Sequence, residues 1–280
     1  MKKTVGVVSA FYPDVQELAR NINSYFSVLD QLIIVENTPV DDSRIDQIFL
    51  LIDSQKVQIW KTGKNEGLAK PFNDVLQWAE ENDYDLLLTM DQDSYFTNGH
   101  FEDYLDFVKN QQDTCIAIYS PARANNENNS DVIDVDSAIS SGSIYPISVF
   151  QAVGRFREDY FIYMVDIEFC IRVKQKGYRI VSLNAIELNH QEGYAEKSKL
   201  GLTINNYSAQ SSYYIVRNTL LTWKLYPQNY PCSIRIHFIW YKIIFRTLKI
   251  VLETNRISKL KALYLGLIHG IRGKSGEYKL

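Results

Sequence analysis

Apolar runs and helix-like stretches alternate along the first third of the chain. The apolar runs lie at residues 5–10, 32–35, 57–60 and 86–90. Most positions of these runs are apolar, and the run at 32–35 is continuous, which is typical of strands that are buried on both faces of a parallel sheet. The stretches between them, at residues 14–26, 43–52 and 68–80, space their apolar side chains as helices do. This order predicts an α/β fold with a Rossmann-like, mostly parallel sheet flanked by helices.

Polar side chains follow three of the predicted strands at the points where the strands end. Glu36 and Asn37 end the second strand, the segment 64–73 follows the third, and residues 91–93 follow the fourth. Ligands in sheets of this kind bind at the carboxyl ends of the strands. The sequence therefore predicts that these groups line one crevice.

Asp91 and Asp93 follow the fourth apolar run without a break. Side chains alternate along a strand, so both carboxylates point the same way if the extended conformation persists, and Gln92 faces the other side. Two such carboxylates repel by about 4 kcal/mol at an effective dielectric of about 20, and a hard cation such as Mg²⁺ or Mn²⁺ relieves the repulsion. A plain strand-to-loop turn accounts for the same residues equally well. The motif alone leaves a metal site and a turn as alternatives.

The segment 64–73 offers a second kind of ligand contact. Gly67 lets the backbone approach a ligand closely, and the helix that follows presents free amides and a partial positive charge to an anion. Lys70 adds a full positive charge. The alternative interpretation is a simple turn at Asn65 with Asn73 as a solvated helix residue, and the succession of polar strand ends favours the ligand site.

Composition sets mild limits on function. The 280 residues suffice for one large domain, or for one domain with an appendage. A net charge of -3 argues against a general nucleic-acid binder. The scattered cysteines Cys115, Cys170 and Cys232 indicate neither a disulfide framework nor a zinc site, which suits a reducing cytoplasm. Residues 4–10 form too short an apolar core for a signal peptide and are interpreted as the first strand.

Several motifs occur in a recognisable order. They are Val7-Val8-Ser9-Ala10, Glu36-Asn37, Asn65-Glu66-Gly67-Leu68-Ala69 with Asn73, Asp91-Gln92-Asp93, Val165-Asp166-Ile167-Glu168-Phe169-Cys170-Ile171-Arg172 with Gly177, and Tyr213-Tyr214-Ile215-Val216-Arg217-Asn218. With these motifs the chain resembles, over about residues 4–225, the inverting nucleotide-sugar glycosyltransferases of family 2, which have the GT-A fold. The last two motifs are most similar to those of bacterial rhamnosyltransferases of surface-polysaccharide assembly.

The resemblance implies roles for the strand-end residues. It implies that the crevice binds a nucleoside diphosphate sugar. Ala10 and Glu36 would line the pocket of the nucleobase, Asp91 would contact the ribose, and Arg217 would be a partner of the pyrophosphate. The remaining nucleotide-sugar contacts that it implies are Asn37, Asn65, Gly67, Lys70, Asn73 and Gln92. The implied metal ligands of Mg²⁺ or Mn²⁺ are Asp93, His190 and Asp91.

The resemblance also implies an acid–base residue. Asp166 aligns with the family's catalytic carboxylate at the start of a helix, where it would take the proton of the acceptor hydroxyl as the bond forms. The alternative is that Asp166 is only a carboxylate stabilised by the helix dipole. Glu168 has a weaker claim to the same role, and it joins Gly142 and Tyr163 as expected contacts of a glycan or lipid-linked acceptor. The polar residues 195–212 are expected to form a lid loop.

Residues 226–280 differ in character from the domain at 1–225 and are predicted to form amphipathic helices. Arg235, Lys242, Arg246 and Lys249 recur on one helical stripe beside a wide apolar face. No uncharged run approaches 18 residues, which argues against a spanning helix. One interpretation is contact with an anionic membrane, with the protein peripheral at the inner face of the cell membrane. The other is helix packing on the catalytic domain or on a second subunit of a homodimer.

The function predicted from these features is an inverting, metal-dependent transfer of a sugar in polysaccharide assembly, with rhamnose from dTDP-rhamnose as the expected donor group. A UDP-hexose or UDP-galactofuranose donor is the alternative within the same class. From other classes, a sugar-phosphate nucleotidyltransferase and an inactive binding subunit stay open. The first would be expected to carry a Gly-rich basic loop after the first strand, which residues 9–13 are not.

Overall fold

A computed structural model gives the structure of the protein. It describes residues 2–40, 43–52, 54–97, 99–122, 132–190, 195–197, 203–205 and 207–278. The chain forms two compact units, the first from Met1–Phe156 and Phe169–His190 and the second from Arg157–Glu168 and Gln191–Leu280. The predicted boundary between residues 225 and 226 falls inside the second unit.

The first unit is built on a mixed sheet. Its strands are β1 (Thr4–Ala10), β2 (Gln31–Glu36), β3 (Val57–Lys61), β4 (Leu86–Asp91), β5 (Ser94–Phe96), β6 (Ile116–Ala122), β7 (Val132–Asp134), β8 (Ser143–Pro146) and β9 (Arg179–His190). They lie in the order β3-β2-β1-β4-β8-β6-β9-β5, and β7 pairs with β9. The strands from β3 to β4 run parallel, and β8 is antiparallel to both of its neighbours.

The parallel half of the sheet confirms the reading of the continuous apolar runs. Nearly every residue of β1, β2 and β4 is buried, including those that point to opposite faces. Val8, Ile34 and Leu88 belong to an apolar core on one face of the sheet, and Val7, Ile33 and Leu87 are buried on the other face. Apolar strands of this kind need cover on both sides, and the helices of the unit supply it.

The helices of the first unit follow the predicted order. They are α1 (Val15–Ile22), α2 (Ala69–Glu81), α3 (His100–Asn110) and α4 (Ser148–Val153), and α5 (Val165–Gln175) contributes residues to both units. Asp14 caps α1, because its Oδ1 accepts hydrogen bonds from the amides of Gln16 and Glu17. Short 3₁₀ helices lie at Phe26–Val28, Ser43–Leu50 and Ser54–Lys56.

One predicted helix has a different form. The stretch predicted as a helix at residues 43–52 is a 3₁₀ helix at Ser43–Leu50. Its buried side chains, Ile45 and Ile48, are three residues apart, and side chains three apart eclipse in a 3₁₀ helix. Leu50 is 85% exposed.

The second unit is mainly helical. Its elements are the hairpin of β10 (Ala195–Lys197) and β11 (Thr203–Asn205), a 3₁₀ turn at Glu158–Tyr160, α6 (Ala209–Leu225), a 3₁₀ turn at Pro227–Asn229, α7 (Cys232–Phe238), a π-helical turn at Ile239–Ile244, α8 (Phe245–Ile250) and α9 (Arg256–Arg272). The lid loop expected at 195–212 is therefore partly regular structure, and its residues 198–202 and 206 lie outside the described residues.

Helix α9 packs closely against α6. A Cβ atom on Gly266 would lie 2.5 Å from the carbonyl oxygen of Tyr213, and one on Gly270 would lie 2.8 Å from Leu220 Cβ. Leu263 and Val216 join these helices to Phe238 in a shared apolar cluster. The predicted helical extension thus packs on α6 within the second unit. Among the described residues, none of the helices is long and apolar enough to cross a membrane.

Candidate active site

The carboxyl ends of the parallel strands bring the predicted nucleotide-sugar residues of the first unit together. Ser9 pairs in register with Asp91, and Ala10 pairs with Glu36. Ala10 and Glu36 are both buried. Asn37 is also buried at this edge, and its amide nitrogen Nδ2 donates to Ser9 Oγ at 2.9 Å. The row of polar groups expected at this edge is therefore continuous across β4, β1 and β2.

Asp91, Asp93 and His190 form a group with the donor set of a metal site. One ligand atom from each residue lies within 4.8 Å of the other two. His190 Nδ1 is 3.9 Å from Asp91 Oδ2 and 3.6 Å from Asp93 Oδ1. Strand pairing fixes the approach of the imidazole, because Ser94 at the start of β5 pairs with His190 at the end of β9. Ser94 Oγ then lies 2.8 Å from His190 Nδ1 and holds the ring.

The chemistry of this group fits a hard divalent cation. Asp93 Oδ1 is buried and has no hydrogen-bond partner within the part of the chain that the structure describes. A buried carboxylate oxygen without a partner is costly unless a cation compensates it. Two carboxylates and an imidazole suit Mg²⁺ or Mn²⁺.

The two carboxylates converge for a different reason from the one predicted. The sequence predicted that an extended strand would point both the same way, but β4 ends at Asp91 and residues 92–93 form a turn. Gln92 stabilises this turn, since its Oε1 accepts from the amide of Phe11 at 2.7 Å and its carbonyl accepts from Asn21 Nδ2 at 3.0 Å. The sequence left a turn and a metal site as alternatives; the structure shows the turn, and this turn brings the two carboxylates to the candidate metal group.

The segment between β3 and α2 forms a tight turn before the helix. Gly67 has a φ of +78°, which favours glycine, and Asn65 Oδ1 accepts from its amide at 2.9 Å. The carbonyl of Gly67 accepts from Asn37 Nδ2 at 2.7 Å, which ties this turn to the end of β2. Lys70 pairs with Asp74 in the next turn of α2, with 2.7 Å between Nζ and Oδ1.

Asn73 and Gly142 have structural roles within the first unit. Asn73 is buried, its Nδ2 donates to the carbonyl of Phe156 at 2.9 Å, and its Oδ1 accepts from the amide of Phe156 at 3.0 Å. These bonds account for its burial without a ligand. Gly142 has a φ of +79°, and a Cβ there would lie 2.9 Å from both Leu188 and Pro121. A side chain larger than hydrogen does not fit at residue 142.

In the second unit Asp166 lies in the first turn of α5. Its Oδ1 accepts from the amide of Ile167 at 2.8 Å, and the residue is partly exposed. The positive end of the helix dipole favours the charged carboxylate at this position. Glu168, in contrast, is fully buried, and its Oε1 accepts from the hydroxyl of Tyr226 at 2.6 Å. The predicted contact of Glu168 with an acceptor does not fit a buried and bonded carboxylate.

Arg217 also differs from the prediction. It is fully buried, its Nη2 donates to the carbonyls of Asp159 and Tyr160 at 3.1 and 3.0 Å, and its Nη1 donates to the carbonyl of Gly276. Its Nε donates to Asn218 Oδ1 at 2.8 Å. A guanidinium whose donors are directed to the backbone in this way does not fit the predicted role as a pyrophosphate partner. The residue type favours bidentate anion binding, and the same planar fork also suits a set of carbonyls.

The loop that precedes Asp166 has a strained backbone. Phe161, Tyr163 and Met164 have φ values of +68°, +63° and +64°. Each such conformation costs about 1–3 kcal/mol for a residue with a side chain, and it persists only where the surroundings enforce it. Strain of this kind clusters at functional sites. The surroundings here are helix α6 and the segment that follows α9.

Two side chains of this loop, Asp159 and Tyr163, have shifted pKa values. Burial opposes ionisation of Asp159, but its hydrogen bonds with Arg157 and Ser275 and the positive charges of Arg157 and Arg217 outweigh burial and hold the pKa of Asp159 below its ordinary value. Burial raises the pKa of Tyr163, although its hydrogen bond to Ser211 opposes the shift. The hydroxyl of Tyr163 therefore stays protonated and donates to Ser211 Oγ at 2.8 Å.

Comparison with known proteins supports this interpretation of the fold. No family model matches the chain. Over 245 residues the chain is 28% identical to the dTDP-rhamnosyl transferase RfbF of Shigella flexneri, a match that covers 81% of this chain and 82% of that protein. The structure of GalNAc-T7 with UDP, GalNAc and Mn²⁺ superposes with a TM-score of 0.62 at 9% identity over 80% of this chain. The structure of S. aureus TarS 1–349 with UDP-GlcNAc superposes with a TM-score of 0.53 at 13% identity over 99% of this chain.

The chain is a glycosyltransferase of the GT-A fold. The predicted fold and the resemblance to bacterial rhamnosyltransferases are confirmed. The superposed residues make up 93% of the TarS 1–349 chain and 48% of the GalNAc-T7 chain. The chain therefore spans about half the length of GalNAc-T7.

Two residues of the glycosyltransferase that matter for its site were not predicted. Ser94 contacts the imidazole of His190, and no sequence spacing links residues 96 positions apart. Asn218 is buried, and its Nδ2 donates to three carbonyls of the loop that precedes Asp166. A signal for Asn218 was present, because it directly follows Arg217 in a motif that the resemblance singled out.

Proposed function

We propose that the glycosyltransferase is inverting and metal-dependent, and that it transfers rhamnose from dTDP-rhamnose to a glycan or lipid-linked acceptor in polysaccharide assembly. The observation that carries the proposal is the group of Asp91, Asp93 and His190, with its buried and unpartnered carboxylate oxygen. The choice of dTDP-rhamnose as the donor rests on the similarity to RfbF, which is named as a dTDP-rhamnosyl transferase.

The strand-end residues would hold the donor. Glu36, Ala10 and Asn37 would line the base pocket at the ends of β1 and β2, and Asp91 would contact the ribose. Asp93, Asp91 and His190 would hold Mg²⁺ or Mn²⁺. When bound there, the cation supplies positive charge that stabilises the departing diphosphate.

Asp166 would act as the general base. In the reaction, the oxygen of an acceptor hydroxyl forms a bond to the anomeric carbon, the bond from that carbon to the diphosphate oxygen breaks, and dTDP leaves with the electron pair. The proton of the hydroxyl passes to Asp166. The support for this role is the position of Asp166 in the first turn of α5, directly after a strained loop. The positive end of the helix dipole favours the charged form of a carboxylate in this position, which is the form that accepts a proton.

Calorimetry and a turnover assay test this proposal. We expect dTDP to bind more tightly than UDP or GDP in the presence of Mn²⁺, and we expect the affinity to fall at least tenfold in Asp93→Ala. Asp166→Asn should bind dTDP as the native protein does but lose release of dTDP from dTDP-rhamnose. The matched control is Asp103→Asn, which changes an exposed carboxylate on α3. Turnover of dTDP-rhamnose by Asp166→Asn at the native rate would contradict the proposed mechanism.

The same panel separates the alternatives. Preferential binding of UDP would favour a UDP-hexose or UDP-galactofuranose donor. Formation of a nucleotide sugar from dTTP and a sugar phosphate, without transfer from dTDP-rhamnose, would favour a nucleotidyltransferase.

A second part of the proposal concerns where the acceptor is met. We propose that residues 234–252 contact an anionic membrane, peripherally at its cytoplasmic face. Exposed apolar side chains recur there about one turn apart, including Ile236, Trp240 and Leu248, which are 52%, 58% and 62% exposed. Residues 226–280 carry ten Lys and Arg residues against two Glu, a net charge of +8, while the whole chain has a net charge of -3. Apolar side chains beside basic ones suit the surface of an anionic bilayer.

The basic stripe differs in detail from the prediction. Arg235 Nε donates to the carbonyl of Tyr230 at 2.6 Å, and Arg246 pairs with the buried Glu253. Lys242 is exposed. The attraction to a membrane would therefore come from the general excess of positive charge in the helices, with Lys242 within the exposed apolar face.

Vesicle co-sedimentation tests the membrane contact. We expect the protein to sediment with vesicles of phosphatidylcholine and phosphatidylglycerol, and less with phosphatidylcholine alone. The double variant Trp240→Ser and Leu248→Ser should stay in the supernatant. Leu50→Ser, a control that changes an exposed leucine of the first unit, should sediment as the native protein does. If the double variant still sediments, or if it instead converts a dimer to a monomer in light scattering, the membrane proposal is wrong.

A further inference from the structure

One face of α6 holds the loop that leads to Asp166. The contacts come from Ser211, Tyr214, Asn218 and Thr222, which follow one another at three- or four-residue spacing and so share a face of the helix. Ser211 Oγ accepts from the Tyr163 hydroxyl, the ring of Tyr214 stacks on Phe161 with 5.1 Å between centroids, and the Thr222 hydroxyl lies 2.8 Å from the Tyr160 hydroxyl. Side chains along this face of the helix therefore contact the side chains of the loop.

Asn218 binds the backbone of this loop. Its Nδ2 lies 2.9 Å from the carbonyl oxygen of Tyr160, 2.7 Å from that of Ile162 and 2.9 Å from that of Tyr163. Carbonyls of one chain converge on a single donor only if the chain turns around it. The side chain of Asn218 thus defines the curve of the loop.

Arg217 orients Asn218 and extends the set of contacts. Its Nε donates to Asn218 Oδ1 at 2.8 Å, which directs Nδ2 toward the loop. Its Nη2 donates to the carbonyls of Asp159 and Tyr160, and its Nη1 donates to the carbonyl of Gly276. The guanidinium also lies over the ring of Tyr214, 4.7 Å from the centroid. Arg217 and Asn218 together bind four carbonyls of residues 159–163, those of Asp159, Tyr160, Ile162 and Tyr163.

These contacts enforce the strained conformation of the loop. Phe161, Tyr163 and Met164 have positive φ values, and such residues relax when their surroundings allow it. Tyr163, whose carbonyl Asn218 binds, is three residues before Asp166. Because so short a segment transmits a change in backbone angle directly, the position of the carboxylate depends on the bonds that hold the backbone carbonyls of residues 160–163.

We infer that Arg217 and Asn218 are positioning residues for the carboxylate of Asp166, which they hold by fixing the backbone of residues 159–163. This inference rests on the proposed function, in which Asp166 is the general base. It replaces the direct role at the pyrophosphate that the sequence predicted for Arg217.

Asn218→Asp is the sharpest test, because it keeps the shape of the side chain and the acceptor for Arg217 Nε but removes the donors to the loop. We expect the turnover of dTDP-rhamnose to dTDP with Mn²⁺ to fall about 100-fold, since a shift of about 1 Å in a catalytic group costs about that much. The affinity for dTDP should stay within about twofold of the native value, since the residues proposed to contact the nucleobase and the metal lie in the first unit.

Thr222→Val is the matched control. It removes a buried hydroxyl one turn further along α6, whose partners are the hydroxyl of Tyr160 and, within the helix, the carbonyl of Asn218; it contacts none of the loop carbonyls that Asn218 binds. We expect it to lower thermal stability and to leave turnover within about threefold of the native rate. An equal loss of turnover in Thr222→Val and Asn218→Asp would mean that stability alone decides activity, and the inference would be overturned.

A double variant separates positioning from a general structural role. If Asn218 acts through Asp166, Asn218→Asp combined with Asp166→Asn should turn over no more slowly than Asp166→Asn alone. A further loss in the double variant would contradict the inference. Where Asn218→Asp does not fold, Asn218→Ala is used in the same comparison, and failure of both to fold would assign Asn218 to the core alone.

The outcomes also distinguish this inference from the proposed function. Native turnover in Asp166→Asn would overturn both. Loss of turnover in Asp166→Asn, with native turnover in Asn218→Asp, would overturn only the positioning role and leave the proposed function in place.

Discussion

Replacement of Asp93 by Asn should stabilise the metal-free protein and abolish its response to Mn²⁺. The substitution exchanges a carboxylate for a neutral amide of the same shape. Ligand atoms of Asp91, Asp93 and His190 lie within 4.8 Å of one another. At that separation two carboxylates repel by about 3.5 kcal/mol at an effective dielectric of about 20. The side chains of Asp91 and Asp93 are 31% and 41% exposed, and charge pairs that are exposed to solvent interact by about 1 kcal/mol at most, so we take about 1 kcal/mol for this repulsion.

The two effects on the melting temperature have opposite signs. Unfolding of a chain of this length has an entropy of roughly 0.6 kcal/mol per kelvin, so a gain of about 1 kcal/mol raises the melting temperature by about 2 °C. Mn²⁺ at about 100 times its Kd stabilises the native protein by about 2.7 kcal/mol, which is about 5 °C. Asp93→Asn should therefore melt above the native protein in EDTA and below it in saturating Mn²⁺.

Differential scanning fluorimetry of EDTA-treated protein, with and without MnCl₂, measures both effects. Asp103→Asn, the exposed control on α3, should melt as the native protein does under both conditions. A native-sized response of Asp93→Asn to Mn²⁺ would refute the assignment of the metal site. A large fall in its metal-free melting temperature would show that Asp93 has a structural partner, which would refute the reasoning from an unpartnered oxygen.

Three further predictions concern structural groups. Glu253→Gln should lower the free energy of unfolding in urea by about 3 kcal/mol, because it leaves Arg246 and Lys259 without their buried anion, and an unchanged midpoint would contradict this. Asn73→Ala should cost about 2–4 kcal/mol by leaving two backbone groups unbonded, with dTDP affinity unchanged in calorimetry, whereas a loss of affinity would restore its predicted ligand role. The pKa of Asp159 is lower in the folded protein than its ordinary value of 3.8. The charged carboxylate therefore stabilises the protein fully above pH 3.8, and this stabilisation is lost as the pH falls through the pKa of the folded state. The melting temperature should fall less with acid in Asp159→Asn than in the native protein, and an equal fall would contradict this.

The sequence predicted the parallel half of the sheet well because each strand carries its own signal. The run at 86–90 is apolar on both faces, and only a strand covered on both sides satisfies it. Polar residues that follow such runs must lie at the carboxyl edge, so the neighbours of Asp91 and Glu36 followed from the strand order.

The contacts made across the sequence could not be predicted in the same way. The resemblance implies a pyrophosphate partner at Arg217, but a guanidinium suits phosphate and carbonyl oxygens alike, and its residue type does not tell which it meets. The resemblance also implies an acceptor contact at Glu168, and nothing in the spacing of this residue indicates its bond with the hydroxyl of Tyr226. Both choices depend on tertiary packing within the second unit.

The loop before Asp166 also bears on the order of events during synthesis. The donors that bind its carbonyls lie on α6, which is synthesised after the loop. Arg217 in turn binds the carbonyl of Gly276, which is 110 residues beyond Asp166. At about 5–20 residues per second, a ribosome needs roughly 5–20 s to cover that distance. A nascent chain would therefore carry a finished parallel sheet for several seconds before the loop that precedes Asp166 has all of its partners, so this loop would reach its final form only after Gly276 has been synthesised.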